Sequence, residues 1–378
     1  MSESYLGENI KKLGFGLMRL PKQGDDFDLE QVKAMVDAFM EAGFTYFDTA
    51  WAYEGSEEVM RKALIERYPR ESFTVATKLA AWIDCKTRED AIAQFETSLK
   101  RSGAGYFDYY LLHNLGEART KVFEDFGLWD FVMQKKKEGR IRHVGFSFHA
   151  SADQLEEILK AHPEAEFVQL QINYADWEDP EVQSRKIYKV ARKYNKPIII
   201  MEPVKGGLLA EPPKSVAEIF RQADPSASYS SWAIRFAASL DGVITVLSGM
   251  SSIEQMQDNL SYMKDFRKLS QEEQDVIVKA REALAKIPVI PCTKCDYCAK
   301  VCPSDIGISG TFASLNIMLQ YDNQARAIHN EKFAVTAAGK KRANECIDCG
   351  QCEEACPQHI PIREYLRKAV RDLHIEEV

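Results

Sequence analysis

Between residues 12 and 264 the chain alternates, eight times over, a short β-branched or aromatic run with a longer stretch that carries apolar residues at helical spacing. The runs lie at 12–17, 45–48, 73–78, 107–113, 142–147, 167–173, 197–202 and 243–248, and each reads as a strand. The stretches at 29–42, 56–67, 88–101, 123–138, 152–161, 180–194, 229–240 and 252–264 read as helices. Strict alternation calls for parallel strands joined by helices, and a count of eight favours closure into a (β/α)₈ TIM barrel over an open, doubly wound sheet.

A chain of 378 residues that is 45% apolar and 28% charged has the make-up of a globular protein, neither disordered nor fibrous. A net charge of −8, with no long block of either sign, offers no arm for nucleic acid, so none is expected as a partner. The opening MSESYLGENI lacks a basic and an apolar region, and no stretch approaches about 18 apolar residues. No membrane association and a cytoplasmic location are therefore expected.

A further amphipathic helix is expected at 270–287, followed by the extended connector Ile287-Pro288-Val289-Ile290-Pro291. This divides the chain into 1–287, the α/β barrel, and 288–378, a small and mainly helical domain. Eight of the nine cysteines lie in the second part, as Cys292-x₂-Cys295-x₂-Cys298-x₃-Cys302-Pro303 and again as Cys346-x₂-Cys349-x₂-Cys352-x₃-Cys356-Pro357. This is the bacterial ferredoxin run twice over, in which three thiolates of one loop bind a cubane and the fourth reaches the other cluster. One [4Fe-4S] cluster is therefore assigned to Cys292, Cys295, Cys298 and Cys356, and the other to Cys346, Cys349, Cys352 and Cys302. Structural zinc explains neither the third cysteine nor the Cys-Pro pair, and disulfides do not suit a reducing cytosol. Two clusters imply one-electron transfer, with simple stapling of a small domain as the blander role. The spacer between the runs has room for one or two helices, for example around 310–324.

In a barrel of this kind, chemistry gathers at the carboxyl ends of the strands. Asp48 ends the second strand, Tyr53 follows in its loop, Lys78 ends the third and His113 ends the fourth. A tyrosine is a poor acid at neutral pH, but a buried ammonium beside it stabilises the phenolate and is expected to bring its pKa down. Asp48 would hold Lys78 charged, and a neutral His113 would orient a carbonyl oxygen.

This constellation resembles the aldo-keto reductase family over residues 5–285, and the cysteine tail resembles a subgroup with a C-terminal ferredoxin-type domain. The resemblance implies reversible hydride transfer between NAD(P)H and an aldehyde or ketone, with Tyr53 as general acid, Lys78 and Asp48 as its tuning pair and His113 as the carbonyl donor. It also implies nicotinamide contacts from Ser147 and Gln169, with Phe148 standing where the family has Asn and Met201 where it has an aromatic ring. In the run Met201-Glu202-Pro203-Val204-Lys205-Gly206-Gly207, the loop Pro203, Val204, Lys205 and Gly206 would approach the pyrophosphate. Gly249 and Ser251, leading into a helix N-terminus, and Gln255 and Asn259 within that helix would serve the adenosine side. Gln255, in place of Arg, leaves NADP and NAD both open. Gly14, Gly16, Met18 and Arg19 are candidates for the pocket floor or for turn geometry; Cys85 reads as a small buried residue and His149 as a capping or surface histidine.

The expected partners are thus a small carbonyl or alcohol substrate and a redox partner protein served by the clusters. The alternative is an electron-relay subunit in which the barrel, with a flavin, docks such a partner.

Overall fold

The computed structural model describes residues 6–375. They form two compact units: residues up to Ala210 with Ser226–Ile277, and Glu211–Pro225 with residues from Val278 on.

The first unit is a closed barrel of eight parallel strands: β1 (Leu13–Gly16), β2 (Tyr46–Asp48), β3 (Thr74–Leu79), β4 (Phe107–Leu115), β5 (Ile141–Phe148), β6 (Phe167–Gln171), β7 (Ile198–Met201) and β8 (Val243–Ser248). The ring closes where Phe15 of β1 pairs with Ser248 on one side and Phe47 on the other. Both faces of such strands are covered, so their sequences run almost continuously apolar. Tyr46, Ala76, Tyr109, Leu111, Phe167, Ile199, Ile244 and Leu247 form a cluster of their own drawn from six strands. Their sequence neighbours Phe47, Val75, Tyr110, Leu112, Val168, Ile198 and Ile200 belong to a larger core with helix residues such as Phe39, Phe95 and Leu155. The helices begin on local signals: Asp28 accepts from Gln31 N ahead of Leu29–Glu41, and Thr87 and Asp90 form a capping box ahead of Arg88–Ser102.

The expected helix at 123–138 is two, Glu117–Asp125 and Leu128–Lys137, because Gly127 takes a left-handed φ of 56° and interrupts the ladder. The helix expected from 180 begins at Ser184, since Asp179 accepts the N–H groups of Glu181 and Val182 in a turn. A hairpin of Lys22–Gln23 with Asp26–Phe27 and a helix at Lys214–Ala223 were not foreseen.

In the second unit the internal repeat is visible in the backbone. Lys294 and Asp348, Asp296 and Gly350, and Asp305 and His359 occupy equivalent positions of the two cysteine runs, and all six have φ between 52° and 82°. The spacer carries Ile308–Tyr321 and Gln324–Glu331. Ile362–Asp372 closes the unit, and its Ile362, Leu366 and Ala369 share a core with Ile306, Phe312, Leu315 and the buried Cys298, Cys352 and Cys356. Among the described residues no helix is long and apolar enough to cross a membrane.

Candidate active site

Asp48, at the end of β2, and Lys78, near the end of β3, are both buried. Lys78 Nζ donates to Asp48 Oδ1 at 2.5 Å and to the Thr49 carbonyl at 2.7 Å. The loop after β2 stays beside β3, with Trp51 N donating to Lys78 O. Tight turns carry it through Tyr53 into Ser56, whose hydroxyl shares a hydrogen bond with Thr49 Oγ1 and donates to Leu17 O. Tyr53 is thereby held with its ring centroid 5.0 Å from Lys78 Nζ and 5.9 Å, edge to face, from the His113 ring. The four residues singled out by the strand-end pattern meet.

Burial opposes the charge of Lys78, but Asp48 and Tyr53 outweigh it and hold the ammonium above its usual pKa. Burial pushes the Asp48 carboxyl up while Lys78 pulls it back. The Tyr53 phenol departs from the sequence expectation. Burial raises it above the ordinary tyrosine value, and the charge and hydrogen bonding of Lys78 offset only part of that rise. Burial, aided by Lys78, His149 and Arg119, pushes His113 well below its usual value, which makes it a neutral imidazole. Its Nδ1, and Asp48 Oδ2 across the site, are buried without a hydrogen-bond partner among the described residues.

Farther round the rim, Ser147 pairs in register with Gln169, and both are buried. Gln169 Oε1 has no hydrogen-bond partner among the described residues, the condition of an amide acceptor ready for a ligand donor. Phe148 lies fully inside the hydrophobic core. Met201 ends β7, and the loop beyond it turns on left-handed residues at Glu202, Lys205, Gly206 and Gly207. The ammonium of Lys205 is tied to the buried Asp176, which Asn173 Nδ2 also reaches at 2.8 Å. Gly249 is exposed; Ser251 N donates to Gln255 Oε1 and Ser251 Oγ to Arg19 O. The Asn259 amide is used internally, between Ser248 Oγ and Tyr262 OH.

The cysteines surround two hollows in the second unit. Cys302 lines one with Cys346, Cys349 and Cys352, and Cys356 lines the other with Cys292, Cys295 and Cys298. Each run thus sends its last cysteine to the hollow of the other run. Ile306 N and Asp348 N donate to the sulfurs of Cys302 and Cys346 at 3.5 and 3.4 Å. Burial pushes the Cys298 and Cys352 thiols up to about 11. Among the described residues no three His, Cys, Asp or Glu side chains converge as ligands of a single ion. Eight thiols in two rings of four fit the corners of two cubanes.

Residues 12–282 match the aldo/keto reductase family, and residues 291–361 match the 4Fe-4S dicluster domain. The chain belongs to the aldo/keto reductase family. An aldo-keto reductase of Mycolicibacterium smegmatis is 30% identical over 141 residues, 37% of this chain and 47% of that protein, so the match spans about half of that relative's length. An uncharacterised oxidoreductase of Schizosaccharomyces pombe is 25% identical over 66% of this chain and 81% of its own. Among solved structures, the holo form of a Bacillus halodurans aldo-keto reductase superposes with a TM-score of 0.59 at 23% identity, covering 72% of this chain and 93% of its own. A Klebsiella pneumoniae aldo-keto reductase in complex with NADPH gives 0.56 at 20%, covering 71% and 90%. At these identities the structural likeness is one of fold.

The barrel also places at its rim Trp82 and Glu57, which the sequence did not single out. Trp82 Nε1 donates to His113 O at 3.0 Å, and its ring lies 6.1 Å from the imidazole. Glu57, buried one turn after Tyr53, accepts from Thr77 Oγ1 at 2.8 Å and so fastens the Tyr53 loop to β3. His149 is half-buried, and burial lowers its pKa while Glu202 and Gln171 oppose that fall. Cys85 is half-buried and accepts from Gln94 Nε2, and a Cβ at Gly14 would fall 2.8 Å from the Leu247 side chain and 3.2 Å from that of Tyr46. Glu57 and Asp176 had only a weak sequence signal, a charged residue just after a strand-end loop; their burial is a tertiary fact.

Proposed function

We propose that the protein is an NAD(P)H-dependent reductase of small aldehydes or ketones, in which residues 1–287 carry out the reduction and residues 288–378 carry two [4Fe-4S] clusters. The observation that carries the reading is the buried Lys78–Asp48 ion pair with the Tyr53 and His113 rings gathered beside it. A bound NAD(P)H would supply hydride to the carbonyl carbon. Tyr53 donates the proton to the carbonyl oxygen and is left as a phenolate, which the Lys78 ammonium stabilises. Asp48 keeps that ammonium charged and in place. His113, neutral, donates a hydrogen bond to the same oxygen and orients it toward Tyr53.

Ser147 and Gln169 would hold the nicotinamide amide, Met201 would lie against its ring, and Pro203, Val204, Lys205 and Gly206 would line the pyrophosphate. Gly249, Ser251, Gln255 and Asn259 would serve the adenosine end, for NADP or NAD. Cys292, Cys295, Cys298 and Cys356 would ligate one cluster, and Cys346, Cys349, Cys352 and Cys302 the other, supplying one-electron transfer to a redox partner protein in the cytoplasm.

The test is anaerobic assay of the holo-protein with NADPH and NADH over a panel of aldehydes and ketones. Tyr53→Phe should bind nucleotide normally yet turn over at least about a hundredfold more slowly. A wild-type protein that oxidises neither nucleotide with any carbonyl of the panel overturns the reading.

A further inference from the structure

The end of β4 is irregular at the place where the rim needs it. Leu112 pairs with Phe146 and Leu115 with Phe148, so β4 advances three residues while β5 advances two. The extra residue makes a bulge, a device that re-aims side chains next to active sites. Within it Asn114 adopts a φ of 61°, a left-handed backbone uncommon outside glycine. Its N–H donates to the side-chain oxygen of Ser147 at 2.8 Å.

Asn114 Oδ1 is buried and has no hydrogen-bond partner among the described residues. Gln169, in register with Ser147 on the other side, presents a second buried amide oxygen in the same condition. A buried acceptor without a donor costs about 1–3 kcal/mol. Two of them flanking one hydroxyl, on three consecutive strand ends, describe a site for a ligand group that brings two N–H donors and one acceptor. A primary carboxamide has that composition.

Resting on the reading that this rim holds a pyridine nucleotide, we propose that Asn114 is a cofactor-binding residue that makes the site selective for an unmodified nicotinamide amide. Asn114 Oδ1 and Gln169 Oε1 accept its two N–H bonds, and the Ser147 hydroxyl donates to its carbonyl.

The experiment uses anaerobically purified holo-protein, wild type, Asn114→Ala and Asn114→Gly, the glycine variant relieving the left-handed backbone so that folding is retained. Kd values are measured by fluorescence quenching for NADPH and NADH and for their 3-acetylpyridine analogues, which keep the carbonyl but lack the N–H bonds. ADP-ribose and its 2′-phosphate serve as fragments without the pyridine ring. Both variants should bind the amide nucleotide about tenfold more weakly, lose wild-type preference over the acetylpyridine analogue by a similar factor, and bind the fragments unchanged. Folded variants that keep the wild-type preference, or that weaken the fragments equally, overturn the role of Asn114 alone. A wild type that binds no pyridine nucleotide removes this proposal together with the reductase reading.

Discussion

The two units hold their functional groups by different means. Around the barrel rim, Asp48, Lys78, Ser147 and Gln169 project from strands whose apolar residues are fully buried in a core built without them. In the second unit, Cys298, Cys352 and Cys356 are themselves members of a core of modest size. The residues proposed as catalytic are therefore positioned by a core that does not include them, whereas on the proposed reading the cysteine hollows would need metal to complete the core that shapes them.

The largest effect that could break this contrast is removal of iron. Anaerobic chelation should abolish hydrogen-exchange protection through the cysteine runs and Ile362–Asp372 while leaving the barrel strands protected; equal protection before and after would show that the second core stands without metal. Next in size is Lys78→Met, which leaves Asp48 buried without its partner. It should destabilise the barrel by about 3–5 kcal/mol in chemical denaturation and remove turnover, while the visible absorbance of the clusters persists.

The pH dependence of turnover sharpens the same comparison. Because burial raises Tyr53, the protonated acid persists through the neutral range. The rate of carbonyl reduction should stay level there and fall only as pH rises past about 10. With His113 depressed below its ordinary value, no inflection from it is expected between about pH 6.5 and 8 in a stopped-flow pH profile. The smallest effect is Gly350→Ala. Its φ of 82° disfavours a side chain, although the new Cβ would meet nothing closer than 3.5 Å. Thermal unfolding should register a loss of about 1–2 kcal/mol in the second unit and none in the barrel.

Much of this was legible in one dimension because the signals are local. The strand run at 243–248 is β8, the run at 107–113 covers β4 up to its irregular end at Asn114 and Leu115, and the two cysteine runs fix their own loop geometry by spacing. Where local signals compete, reading failed. Gly127 broke an apolar periodicity that looked continuous, and the helix Lys214–Ala223 was missed in a segment opened by Pro212 and Pro213. The direction of the Tyr53 shift was likewise out of reach, since a nearby ammonium can be guessed from sequence but the extent of desolvation that opposes it cannot.

The sequence by itself determined the alternation that closes a barrel, the four reactive residue types at its strand ends and the doubled set of thiols, because periodicity and spacing are properties of neighbours along the chain. Only the tertiary structure decided that Glu57 and Asp176 are buried, the one against Thr77 and the other against Asn173 and Lys205, and that a bulge turns Asn114 beside Ser147. Those outcomes depend on register, burial and unmet hydrogen bonds between segments far apart in the chain, which no local pattern encodes.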